Sequence, residues 1–128
     1  MIAVDTSALM AIIFGEAKAD ACIEVLEAES DVLISAGTAA ESLIVASQRR
    51  VVGEMTGLIE GLGFEVVSVT RSSALRIAEA YRKWGNGAHR AGLNFGDCFA
   101  YALAMEHSCP LLFVGDDFSR TDVVSVLK

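Results

Sequence analysis

The chain has 128 residues, 53% of them apolar, and a formal net charge of -7 at pH 7. At this length a chain buries roughly two thirds of the surface its unfolded form exposes, so a single domain over residues 1–128 with one core is expected. Charges interrupt every apolar block well short of the ~20 residues a bilayer span needs, which excludes a helical membrane protein and favours a cytoplasmic one.

Residues 2–4 form a short apolar run that predicts a strand ending on Asp5. Thr6 and Ser7 then open a helical pattern through Leu9, Met10 and Ile13. No basic region precedes the run, so no export signal is expected. Gly15 breaks the helix, and residues 17–28 resume it with Cys22, Val25 and Leu26 on one face. Residues 32–34 read as a second strand, and a helix is predicted over residues 39–52, with Thr38 and Glu41 spaced as a capping box. Glycines 53, 57, 61 and 63 punctuate a weaker amphipathic piece. Residues 64–69 alternate as a third strand, and Thr70 caps a helix through Leu75, Ile77 and Tyr81. Residues 84–93 carry Gly85, Gly87 and Gly92 and read as a loop. Asn94 is placed to cap a central buried helix over residues 95–107, which Pro110 stops. Residues 111–114 give a fourth strand, and residues 123–127 are a candidate fifth at an edge. Strand and helix alternate throughout, which predicts an α/β fold with a mainly parallel central sheet flanked by helices.

The cysteines Cys22, Cys98 and Cys109 form no C-x-x-C pair, and any disulfide scheme leaves one over. A structural zinc knuckle and a secreted scaffold are thereby excluded. The charge is unevenly spread. Residues 1–70 carry three basic and eleven acidic side chains, whereas residues 71–90 hold five basic residues, Arg71, Arg76, Arg82, Lys83 and Arg90, against Glu79 alone. The acidic total therefore hides a local basic segment able to meet phosphate.

In an open parallel sheet, ligands bind outside the carboxyl ends of the strands. Asp5 ends the first strand, Glu41 lies in the first turn of the helix after the second, and Asp116 and Asp117 follow the fourth. Asp97 opens the helix that returns into that fourth strand, so it lies at the same edge. Carboxylates gathered without partners raise one another's pKa and resist burial, a conflict that a hard divalent cation such as Mg²⁺ or Mn²⁺ resolves. Each acid also has a plainer account: Glu41 and Asp97 as helix-capping residues, Asp116 and Asp117 as a polar turn. An acid abutting a buried strand without a basic neighbour, as Asp5 does, is harder to account for in that way. No glycine-rich turn follows strand one, so a dinucleotide site is not indicated. Nor does any local motif join Ser7, Cys98, His89 and His107 into a triad.

Together, Asp5-Thr6-Ser7-Ala8-Leu9, Glu41, Asn94-Phe95-Gly96-Asp97-Cys98 and Gly115-Asp116-Asp117-Phe118 resemble a PIN domain, and more narrowly the VapC toxins of type II toxin–antitoxin systems. The similarity runs nearly the whole chain. It implies the PIN fold, an α/β/α sandwich, and Mg²⁺- or Mn²⁺-dependent endoribonuclease activity. It also implies a cognate VapB-type antitoxin and a homodimer. Family roles fall on Asp5 and Asp97 as metal ligands, on Glu41, and on a fourth acid supplied by Asp116 or Asp117. Ser7 would be a polar contact near the metal or substrate. The basic segment, with Arg82, Arg90 and His89, fits RNA phosphate contacts or else a solvated helix face and loop. An arginine of the antitoxin tail would lie against the acids, the tail ordering beside the first helices around Leu9, Met10 and Ile13, whose alternative role is core packing. The competing expectation is a non-catalytic PIN-like module that uses its acids to hold a partner's basic tail.

Overall fold

The computed structural model describes residues 1–127. The elements run β1 (Ile2–Val4), α1 (Thr6–Ile13), α2 (Ala19–Ala28), β2 (Val32–Ser35), α3 (Ala36–Gln48), α4 (Val52–Gly61), β3 (Glu65–Val67), α5 (Arg71–Trp84), α6 (Phe95–Glu106) and β4 (Leu111–Leu112). The strands pair in the order β3-β2-β1-β4, and every pairing is parallel. The chain thus steps outward from β1 through β2 to β3, then returns to the opposite side of β1 for β4. The reversal leaves a crevice at the carboxyl ends of β1 and β4, where an open parallel sheet receives its ligand.

Side chains of a strand alternate between faces, and here each face has its own core. Ala3, Leu33, Leu111 and Phe113 pack on one side with Ile77 and Ala80 of α5 and with Cys98, Ala100 and Leu103 of α6. Ile2, Val4, Val32, Ile34 and Leu112 pack on the other with Leu9, Cys22, Leu26 and Met55 from α1, α2 and α4. This is the α/β/α sandwich expected. Small residues let α6 sit deep: Ala100 and Ala104 are fully buried, and α3 approaches so closely that a Cβ on Gly37 would lie 2.2 Å from the Phe99 ring. All three cysteines are free. No helix among the described residues is long and apolar enough to cross a membrane.

The structure departs from the sequence reading at four places. Helix α3 begins at Ala36, three residues earlier than predicted, because Ser35 caps it by accepting the Gly37 N–H on its Oγ at 3.2 Å. Thr38 therefore lies inside the first turn, and its capping box with Glu41 does not form. The predicted helix over residues 39–52 divides, because Arg50 takes a left-handed conformation (φ 61°) and the Val51 N–H turns back to the Ala46 carbonyl at 2.8 Å. Residues 123–127 pair with the free edge of β4 through a single bridge, Leu111 with Ser125, and do not form a full strand. Leu9, one of three residues read either as core or as lining a docked tail, is fully buried in the core, leaving Met10 and Ile13 half-buried at the surface.

Candidate metal centre

Asp5 ends β1 and caps α1. Its Oδ2 accepts hydrogen bonds from the Ser7 N–H at 3.0 Å and the Ser7 hydroxyl at 2.7 Å. The same Ser7 Oγ accepts the Val114 N–H at 3.0 Å, so one hydroxyl ties the acid at the end of β1 to the chain leaving β4, across the crevice. The other oxygen, Oδ1, is buried and has no partner. Asp5 is only 3% exposed, and burial pushes its pKa up to about 6; the Ser7 bonds pull it down and the charge of Glu41 adds to the rise.

Asp97 opens α6 in a reciprocal cap: its N–H donates to Asn94 Oδ1 at 2.8 Å, and its Oδ2 accepts the Asn94 N–H at 3.0 Å. The capping account and the site account hold for the same side chain, since one carboxylate oxygen suffices for the cap. Burial pushes Asp97 up to about 7, reinforced by the charges of Asp5, Asp117 and Glu41. Four acids from four separate segments thus act on one another. Asp116 and Asp117 are both exposed, and the Asp116 carbonyl accepts the Ser119 N–H at 3.1 Å to close the turn after β4.

Glu41 reaches the centre from the second turn of α3. The Thr6 hydroxyl donates to its Oε1 at 2.7 Å, and the carboxylate lies against the first turn of α6, where Gly96 leaves room for it. Neither Thr6 nor Gly96 was singled out from sequence. The available signal was a glycine inside the first turn of a helix, beside an acid, where no tight turn asks for one.

Among the described residues, no three of these side chains stand close enough to ligate one ion as they are. The residues nevertheless fit a hard divalent cation. The donors are all carboxylate oxygens, one is buried and orphaned, and two of the acids are pushed toward neutrality by burial and mutual repulsion. Mg²⁺ is commonly held through one or two carboxylates with several waters retained, so the fit does not need a complete protein cage.

The basic candidates lie elsewhere and are held differently. The Arg82 guanidinium makes a two-pronged pair with Glu79 on the exposed face of α5, and Arg76 lies 3.9 Å from Glu106. His89 accepts the Ala91 N–H on Nδ1 at 2.9 Å and sets its ring edgewise to Trp84, so it stabilises its own loop. Arg90 is exposed in that loop, and its carbonyl accepts from Arg120.

The family model of the PIN domain matches residues 2–124. Ribonuclease VapC42 of Mycobacterium tuberculosis is 42% identical over 125 residues, covering 94% of this chain and 95% of that protein. Ribonuclease VapC30 of the same organism is 38% identical over 128 residues, with 96% of each chain covered. Among solved structures, M. tuberculosis VapC20, a sarcin-ricin-loop-cleaving toxin, matches with a TM-score of 0.74 at 19% identity over 97% of both chains. VapBC2 from Rickettsia felis, bound to a promoter DNA fragment, matches at 0.72 and 16% identity over 98% of this chain and 97% of that one. Family model, fold and full-length relatives agree, and the chain belongs to the PIN-domain family, in its VapC branch.

Proposed function

We propose that this chain is a divalent-metal-dependent endoribonuclease, the toxin of a VapBC-type pair that works in the cytoplasm. The observation that carries this reading is the buried Asp5 at the end of β1, where the strand order switches: one of its oxygens has no partner, and its charge acts with those of Glu41 and Asp117 on Asp97. Asp5 and Asp97 would hold the ion, with Glu41 and Asp117 completing the set. Of the two acids after β4, Asp117 is the proposed ligand, because its charge is among those that raise Asp97 most. When bound, a divalent cation supplies an activated water and offsets the charge that develops on the phosphate being cleaved.

The protein's own residues prepare that step. Ser7 fixes the Asp5 carboxylate by one oxygen and leaves the other without a partner. The Asn94 cap likewise holds Asp97 by one oxygen. Burial of both acids keeps their negative charge poorly solvated until a cation arrives, which favours metal over water as their partner. Ser7 is thus a residue that orients Asp5. Of the basic candidates, Arg90 is better placed than Arg82 to meet a phosphate, since Glu79 already engages Arg82.

A VapB-type antitoxin is the proposed regulator, an arginine of its tail matching the paired carboxylates. A homodimer is supported by the exposed apolar surface of Val69, Tyr81 and Phe95, with Phe95 70% exposed. Purified protein incubated with RNA should cleave it in Mn²⁺ or Mg²⁺ and stop when the ion is chelated. Binding of the antitoxin tail without cleavage under any divalent ion would instead establish the non-catalytic module.

A further inference from the structure

We infer that Thr6 and Gly96 are positioning residues for Glu41, acting on opposite sides of its carboxylate, and that this placement sets how tightly the acid cluster holds a divalent cation. The inference deepens the metal-dependent reading above and rests on it. A glutamate on a helix face has several freely rotating bonds, and its carboxylate samples many positions unless something holds it. Here one oxygen is held by the Thr6 hydroxyl at 2.7 Å. Thr6 is itself well anchored: it is β-branched and buried, and its Oγ1 lies 3.0 Å from the Ser42 hydroxyl, which reaches the Thr38 carbonyl at 2.8 Å.

Gly96 faces the other oxygen. A Cβ there would lie 1.9 Å from Glu41 Oε2 and 2.5 Å from its carboxyl carbon. The backbone at Gly96 is helical and not left-handed, so no conformational demand explains the glycine. Glycine weakens a helix relative to alanine, and what it gives here is space for the carboxylate at the positive end of α6. The contrast with Gly37 is instructive, because a Cβ there would strike the packed Phe99 ring. At Gly96 the obstacle is the end of a flexible side chain that can swing out to water. Gly96→Ala should therefore leave the fold intact while displacing Glu41.

The test is Mn²⁺ binding to the full chain by titration calorimetry, beside thermal midpoints measured without metal. Gly96→Ala is expected to melt at or above the wild-type temperature and to bind Mn²⁺ at least ~10-fold more weakly, the scale seen when supporting residues of metal ligands are removed. Thr6→Val should weaken binding similarly, and Thr6→Ser, which keeps the hydroxyl, should restore it to within about threefold. A folded Gly96→Ala or Thr6→Val protein with wild-type Mn²⁺ affinity overturns the inference, as does a Thr6→Ser protein no better than Thr6→Val. Failure of the underlying reading looks different: wild type that binds no Mn²⁺, or Glu41→Gln that binds it undiminished, removes the metal role of Glu41 itself and this inference with it.

Discussion

The acid edge and the basic segment of residues 71–90 differ in how their charges are held. The acids are fixed from behind by the Ser7 and Thr6 hydroxyls and by the Asn94 cap, and two of them are almost wholly buried. The cations stand in water on α5 and its following loop, with Arg82 paired to Glu79 and Arg76 near Glu106. A buried charge with fixed donors has its position before any ligand arrives. An exposed arginine takes its position from whatever it meets. Changes at the acids should therefore abolish function, whereas changes at the cations should only tune it.

The largest effect is expected at the acids themselves. Asp5→Asn or Asp97→Asn should lower RNA cleavage on the order of 100-fold or more, because each removes a charge that the ion requires, while circular dichroism shows the fold kept. Wild-type rates in both would erase the distinction between the two regions. Ser7→Ala comes next. It deletes the donor to Asp5 and orphans the Val114 N–H, so urea denaturation should show a loss of about 1–3 kcal/mol. Cleavage should fall by roughly 10-fold as Asp5 loses its orientation.

The acid edge also predicts a pH dependence whose sign is unusual for carboxylates. Asp5 and Asp97 are pushed up to about 6 and about 7, so they hold protons in the folded chain that the unfolded chain has already released. The unfolded state thus binds fewer protons between the ordinary carboxylate range and about pH 7, and metal-free stability falls as pH rises through that window. Melting temperatures without metal should be higher near pH 5 than near pH 7.5. Asp97→Asn should flatten the trend, and Mn²⁺, which competes with the protons, should oppose it. A metal-free melting temperature that rises across this range would show the acids to be less stressed than their burial implies.

The smallest effects belong to the cations. Arg90→Ala should weaken RNA binding a few-fold and lower the slope of affinity against salt by nearly 1, as for the loss of one phosphate contact. Arg82→Ala should do less, because Glu79 already offsets its charge. A larger loss at Arg82 than at Arg90 would reverse this ranking and show that the Glu79 pair opens on RNA.

Much of this site was legible before the fold was known, and particular residues show why. Asp5 follows an apolar run directly, and Asp97 follows Asn94 at capping distance, so strand end and helix start could be placed from local pattern alone. Parallel topology then brought both to one edge. Glu41 was placed at that edge by the start of the helix after β2; because Ser35 starts that helix, Glu41 lies one turn deeper than expected, and its plainer account as a capping partner of Thr38 falls away. The division of the helix at Arg50 was hidden because nothing about an arginine announces a left-handed backbone. Asp116 and Asp117 stood side by side in sequence, and both lie exposed in the turn after β4.

What the sequence determined by itself was the class of fold, the edge at which the acids gather and the kind of donors found there. Apolar periodicity and helix caps act over a few residues, and the strand-end rule needs only their order. What the tertiary structure decided was which neighbours hold those donors. Thr6 meets Glu41 across 35 positions, Ser7 meets Val114 across 107, and Gly96 matters for a carboxylate that arrives from another helix. Such contacts are set by how packed elements meet in three dimensions, and no local pattern in the chain encodes them.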